Sequence, residues 1–202
     1  MKMAGRTTSS SIAQRTAKIA VLCLLVAASA FRFPAARCQT GGLSEYEVKA
    51  AFLLNIAKFV QWPDNSFESR QSPLLLCIVG DDPFGPALDN LVRDNVIDNH
   101  PLIVHRTKNL DGLRSCQVVF VAGADKKRAA DVLLRLKGTS ALAVGDSPDF
   151  AGVGGAIQFY MEKNRVRFCI NVDALQRARL IVSSKLLALA RIVHDGGSGN
   201  GG

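Results

Sequence analysis

Apolar and polar positions along this chain follow two periods, one helical and one extended, in alternating segments. In residues 44–62, Val48, Phe52, Ile56, Phe59 and Val60 recur at helical spacing. Ser44 and Glu47 form a capping-box signature, in which hydroxyl and carboxylate each take a free backbone donor, and Pro63 stops the run. The pattern predicts an amphipathic helix from Ser44 to Trp62. Residues 63–73, with two prolines, three serines and several charges, predict a loop.

Beyond the loop, strand and helix patterns alternate. Leu74-Leu75-Leu76-Cys77-Ile78-Val79 is a short continuous apolar run ending at Gly80, the signature of a strand buried on both faces. Residues 86–92 predict a helix, 101–105 a second strand and 116–121 a third. Residues 127–136 predict a helix with Ala129, Val132, Leu133 and Leu136 on one side, and 141–144 a fourth strand. This order implies parallel strands joined by right-handed crossovers. Residues 156–161 and 166–170 flank Glu162-Lys163-Asn164-Arg165, which reads as a hairpin turn. Ser183 or Ser184 caps a predicted last helix running to Ile192, with Leu186, Leu187, Leu189, Ala190 and Val193 as its apolar positions. The fold class expected is α/β, a mostly parallel doubly wound sheet with a C-terminal β-hairpin and flanking helices, in a single domain over residues 44–195. Residues 196–202 contain only Gly, Ser and Asn and are expected to be a disordered tail.

The first 30 residues have a different character. Lys2, Arg6, Arg15 and Lys18 precede an apolar run of about ten residues from Ile19 to Ala28, and Ala28-Ser29-Ala30 has the small-x-small pattern of a processing site. The run falls short of the ~20 apolar residues that span a bilayer. Residues 1–30 therefore read as a secretory signal peptide cleaved after Ala30, with Ala36 as a second processing position, followed by a mobile segment over 31–43. An exported chain of about 172 residues remains, enough to bury one core.

Export also changes the charge. The whole chain has 25 basic and 17 acidic residues, for +8; the leader removes four basic residues, leaving 21 against 17, or +4. Lys126-Lys127-Arg128 is the only tight basic run, so no concentrated stripe exists to follow phosphates, and nucleic acid is not the indicated partner. Cys23 leaves with the leader. Cys38, Cys77, Cys116 and Cys169 enter a compartment where disulfides persist, and arithmetic alone leaves three complete pairings open.

At this point the residues carry a resemblance. Residues 44–52, Ser44-Glu45-Tyr46-Glu47-Val48-Lys49-Ala50-Ala51-Phe52, with Phe59-Val60-Gln61-Trp62-Pro63, resemble the opening of the YfiR family. So do Cys77-Ile78-Val79-Gly80-Asp81-Asp82-Pro83-Phe84-Gly85, the Gly145-Asp146 turn with Phe150, the Arg165-Val166-Arg167-Phe168 strand and Ser183-Ser184-Lys185-Leu186-Leu187. No one block is specific, but their ordered set spans nearly the whole mature chain. The resemblance implies a non-enzymatic periplasmic regulator that restrains a membrane-bound diguanylate cyclase by binding its periplasmic sensor domain. It implies two further partners: an outer-membrane peptidoglycan-binding lipoprotein that draws the regulator away, and a second copy in a homodimer. It also implies a disulfide between Cys77 and Cys116, and in a doubly wound sheet the first and third strands are commonly neighbours, close enough for a bridge. A second family bridge has no complete counterpart, which leaves a Cys38–Cys169 pair and an intermolecular bridge through Cys38 both open.

Several residues invite chemistry. Asp81 and Asp82 follow the first buried strand and Asp125 the third, the arrangement by which receiver domains hold Mg²⁺. An exported domain has no ready phosphoryl donor, and acids there also suit a turn and a helix start. Gly152-Val153-Gly154-Gly155 precedes a strand, so it lacks the context of a dinucleotide loop and reads as a mobile surface turn open to a partner. His100 and His105 fall on opposite faces of one strand, and His194 on the last helix. Phe59 and Trp62 are placed in the core, with partner anchoring as the alternative. No hydrolase signature, metal-ligand set or cofactor motif emerges. Besides the inhibitory reading stands a small-ligand sensor or carrier with no cyclase partner, its crevice at the carboxyl ends of the strands. Asp81, Asp82, Phe84 and Asp125 are the candidate crevice or interface residues.

When the full chain is expressed with bacterial secretion intact, N-terminal sequencing of the extracytoplasmic product is expected to begin at Phe31. A product that keeps residues 1–30 would refute the leader.

Overall fold

A computed structural model describes residues 43–123 and 125–196. The expected leader, Cys38, most of the segment over 31–43 and the tail beyond Gly196 lie outside the described residues. Helix α1 spans Glu45–Lys58 and carries both halves of the capping box: the Ser44 N–H donates to Glu47 Oε2 at 2.6 Å, and the Glu47 N–H to Ser44 Oγ at 3.3 Å. It ends before Trp62. Val60–Gln61 peels away as strand β1 and pairs antiparallel with β9, Ile181–Val182. The ladder with β9 takes up this backbone, and Pro63 bars helical backbone only at Trp62, the residue just before it. The helix therefore buries Lys49, Ala50, Leu53, Leu54, Ile56 and Ala57. Val48 and Phe52 are half-buried, and Phe59, expected in the core, is 41% exposed. Trp62 is half-buried, its indole N–H donating to the Gln117 carbonyl at 3.3 Å.

The main sheet contains β2 (Leu74–Val79), β3 (Val96–Ile97), β4 (His100–Thr107), β5 (Val118–Val121), β6 (Leu142–Gly145), β7 (Ile157–Glu162), β8 (Arg165–Asn171) and β10 (Arg191–Val193). Its order is β10-β8-β7-β6-β5-β2-β4-β3. Strands β4, β2, β5, β6 and β7 run parallel, while β3 and β8 are antiparallel to β4 and β7. Among the parallel strands the second lies outside the first and the third begins the other flank, which puts the topological switch point between β2 and β5.

Alternation sends successive residues of the central strands into two separate cores. Leu74, Leu76, Ile78, Val118, Phe120 and Val144 meet α1 and helix α2 (Pro86–Val92) on one face. Cys77, Val79, Val119, Val121 and Ala143 meet helix α3 (Lys126–Arg135) and Phe150 on the other. A strand with both faces covered reads as the continuous apolar run seen at 74–79. The predicted neighbourhood of the first and third strands holds: Cys77 on β2 and Cys116, just ahead of β5, form a disulfide with Cα atoms 6.0 Å apart.

The C-terminal third departs from expectation in the elements that follow its hairpin. The β7–β8 hairpin turns through Lys163 and Asn164, both at positive φ, as a two-residue turn matched to strand twist requires. Helix α4 (Val172–Arg177) follows, capped by Asn171, which is fully buried and donates from Nδ2 to the Ala151 carbonyl at 2.8 Å. The predicted helix to Ile192 is instead one turn, α5 (Ser184–Leu187), with Ser183 as its cap. Residues 191–193 become β10, parallel to β8. The open outer edge of β8 satisfies their backbone, whereas the apolar stripe had no face to cover: Leu189 is 70% exposed. His194 thus follows a strand, with Nδ1 3.0 Å from Asp173 Oδ1. Among the described residues no helix is long and apolar enough to cross a membrane.

The Cys77–Cys116 bridge closes a separation of 39 residues. Replacing both cysteines by alanine should lower the free energy of unfolding in urea by about 4 kcal/mol, the chain-entropy value for such a loop. A loss below about 1 kcal/mol would mean that the bridge does not constrain the unfolded chain.

Candidate functional site at the carboxyl ends of the strands

The loop after β2 carries three of the four sequence-selected residues, and each has a defined duty. Gly80, at φ 104°, sits where an added Cβ would come 3.1 Å from the Ala122 carbonyl, so the β2 and β5 exits run close together. Asp81 is 90% exposed at its side chain and pairs with Lys108 at 2.7 Å; that contact holds its carboxyl below the ordinary range. Asp82 turns inward. It accepts from the Phe84 and Gly85 N–H groups at 2.8 and 3.1 Å and from Arg106 Nε at 2.6 Å. Arg106 also holds Asp89 at 2.8 Å, and both carboxylates raise the guanidinium pKa. Asp125 caps α3, accepting from the Arg128 N–H at 2.8 Å. The three acids thus have separate partners rather than one shared centre. Among the described residues, no group of three or more His, Cys, Asp or Glu side chains is placed to hold a metal ion.

Phe84 leads to the cluster that sequence reasoning missed. Its buried ring packs edge-on against Phe120 at 4.7 Å and Tyr46 at 5.8 Å. Tyr46, in the first turn of α1, donates its hydroxyl to Asp146 Oδ2 at 3.0 Å. Lys49, one turn on, reaches the same oxygen at 2.8 Å and Glu45 at 2.6 Å, with its ammonium 4.4 Å from the Tyr46 ring centroid. The side chains of Lys49 and Asp146 are 4% and 6% exposed. The start of α1 is thereby pinned to the exit of β6 by a buried ion pair. Burial alone pulls the Lys49 pKa down, but hydrogen bonds to Asp146 and Glu45 and the Asp146 charge outweigh it and raise the value. Burial also pushes the Tyr46 phenol up, helped by the charge and hydrogen bond of Asp146. The available signal was a lysine one helical turn before Leu53 and two before Ile56, a charge on an otherwise apolar face.

The glycine-rich loop is packed against Phe150. That ring is fully buried, and a Cβ at Gly145 or Gly155 would lie 2.7 or 2.2 Å from it. Only Val153, 39% exposed, presents an apolar side chain at the tip. Cys169, on β8, is buried and has no disulfide partner among the described residues, and burial raises its thiol pKa.

Breaking the buried pair leaves one charge uncompensated. Lys49→Met or Asp146→Asn should each cost about 3 kcal/mol, and the double variant less than their sum. A double-mutant cycle in urea checks this; strict additivity would dissolve the pair. Because the folded-state values of Lys49 and Tyr46 are both raised, their contributions are whole at neutral pH. They fall away as pH climbs through the raised values, so stability should decline above about pH 10, less steeply in Lys49→Met.

Tyr46, Lys49, Asp146 and the Cys77–Cys116 bridge all fall within one stretch of sequence, residues 46–191, which matches the family model described as YfiR/HmsC-like. That match covers well over half of the chain, and the protein belongs to the YfiR/HmsC-like family.

Proposed function

We propose that this protein is a periplasmic binding regulator, not an enzyme, that restrains a membrane-bound diguanylate cyclase through the cyclase's periplasmic sensor domain and so lowers cyclic di-GMP. Membership of the YfiR/HmsC-like family is the observation that carries this reading. The leader over residues 1–30 and the Cys77–Cys116 bridge fit an oxidising compartment outside the cytoplasm. A homodimer, and release by an outer-membrane peptidoglycan-binding lipoprotein, complete the proposed circuit.

The geometry of the carboxyl ends supports surface contact there more than a small-molecule crevice. Tyr46, Phe84, Lys49 and Asp146 fill the space between α1 and the strand exits with protein atoms. What faces solvent is the rim, where the Asp81 side chain is exposed. We place the cyclase contact on this rim: Asp81 touches the partner, while Asp82, Phe84 and Asp125 set the shape of the loops beside it.

Mature, oxidised protein should retain a diguanylate cyclase from the native membrane fraction, identified by mass spectrometry of the bound material. Asp81→Lys should reduce that capture at least tenfold without changing the unfolding midpoint. Recovery of no cyclase by well-folded protein would sink the circuit, and full capture by Asp81→Lys would move the contact elsewhere.

A further inference from the structure

The opposite end of the sheet holds a groove of about 500 Å³ beside the amino ends of β2 and β4. Two segments wall it: the loop that carries Trp62, Phe67 and Glu68, and the β3–β4 turn with Asp98 and His100. We propose that this groove binds a small organic cation, a protonated amine on an apolar body.

His100 shows that the groove is a built site. The residue is 9% exposed, and its ring stacks on Phe67 with centroids 3.7 Å apart and planes within 9°. Its Nδ1 lies 2.6 Å from the Ser72 carbonyl, an acceptor only, so Nδ1 carries the proton. That assignment makes Nε2 of the neutral ring an acceptor, and no described residue donates to it. His100 lines the groove, and Nε2 is not among the buried polar atoms left without a partner, so this acceptor is open to solvent on the groove side of the residue rather than sealed in the core. A buried ring fixed on one nitrogen and stacked on one face is pre-organised to receive an N–H donor.

Charge selects the sign of the ligand. The lining has three carboxylates, Asp64, Glu68 and Asp98, against one guanidinium, Arg70. None of the four takes part in an ion pair among the described residues. Trp62 and Phe67, edge-to-face at 6.5 Å, add aromatic surface that favours an ammonium and an apolar body together. The site lies at the far end of the strands from the proposed cyclase contact and does not depend on it.

Trp62 is the only tryptophan in the chain, so its fluorescence reports on the groove directly. Mature protein would be titrated with phenethylammonium across the millimolar range, and with phenylpropionate as a matched anion, by fluorescence and calorimetry. The expected result is saturable binding of the cation, at least tenfold weaker binding of the anion, and at least a tenfold loss for the cation in the double variant Glu68→Gln with Asp98→Asn at an unchanged melting temperature. Absence of saturable cation binding by both methods, equal response to the two probes, or undiminished affinity in the double variant would each overturn the proposal.

Discussion

Strand β2 has no solvent face, and that constraint organises the rest of the molecule. Its even-numbered residues Leu74, Leu76 and Ile78 enter one core and its odd-numbered residues Cys77 and Val79 the other. An apolar strand in this position needs a neighbour on each side and a helix or loop on each face, because its backbone must be paired and its side chains kept dry. β4 and β5 supply the neighbours, α1 and α2 cover one face, and α3 covers the other. The disulfide falls on the same strand, so the covalent link ties the centre of the sheet to the start of its third parallel strand.

Burial of this kind makes the ends of the strands chemically distinctive. At the carboxyl ends, the first turns of α1 bring Tyr46 and Lys49 onto Asp146. A lysine taken out of water is tolerated there because two carboxylates and an aromatic face replace its hydration. Such a pair adds little net stability over an apolar pair, whereas removing one partner leaves the other charge buried and uncompensated. This anchoring leaves the loop of Asp81 at the surface on a rigid base, the condition under which a loop serves recognition.

The two ends of the sheet differ in consequence. The carboxyl end is filled by the protein's own side chains and offers a shaped rim, suited to a macromolecular surface. The amino end retains open volume, aromatic walls and an unused acceptor, suited to a small molecule. The proposed partner contact and the proposed cation site therefore lie at opposite ends of one domain and do not compete for the same atoms.

Much of the architecture was legible in the residues because its causes are local. The capping box at Ser44 and Glu47, the apolar run at 74–79, the hairpin at Lys163-Asn164 and the helix at 86–92 each depend on a few adjacent side chains and on backbone preference. The family resemblance pointed to the Cys77–Cys116 pairing, and strand adjacency made it geometrically sensible. Tertiary structure decided what depends on distant partners. The end of α1 was set by β9, some 120 residues away in sequence, and residues 191–193 became strand because β8 had an unpaired edge. Likewise, Lys49 and Asp146 look like ordinary surface charges in the chain. Only the fold brings them together, because a buried ion pair is specified by the space between two elements and not by the periodicity of either one.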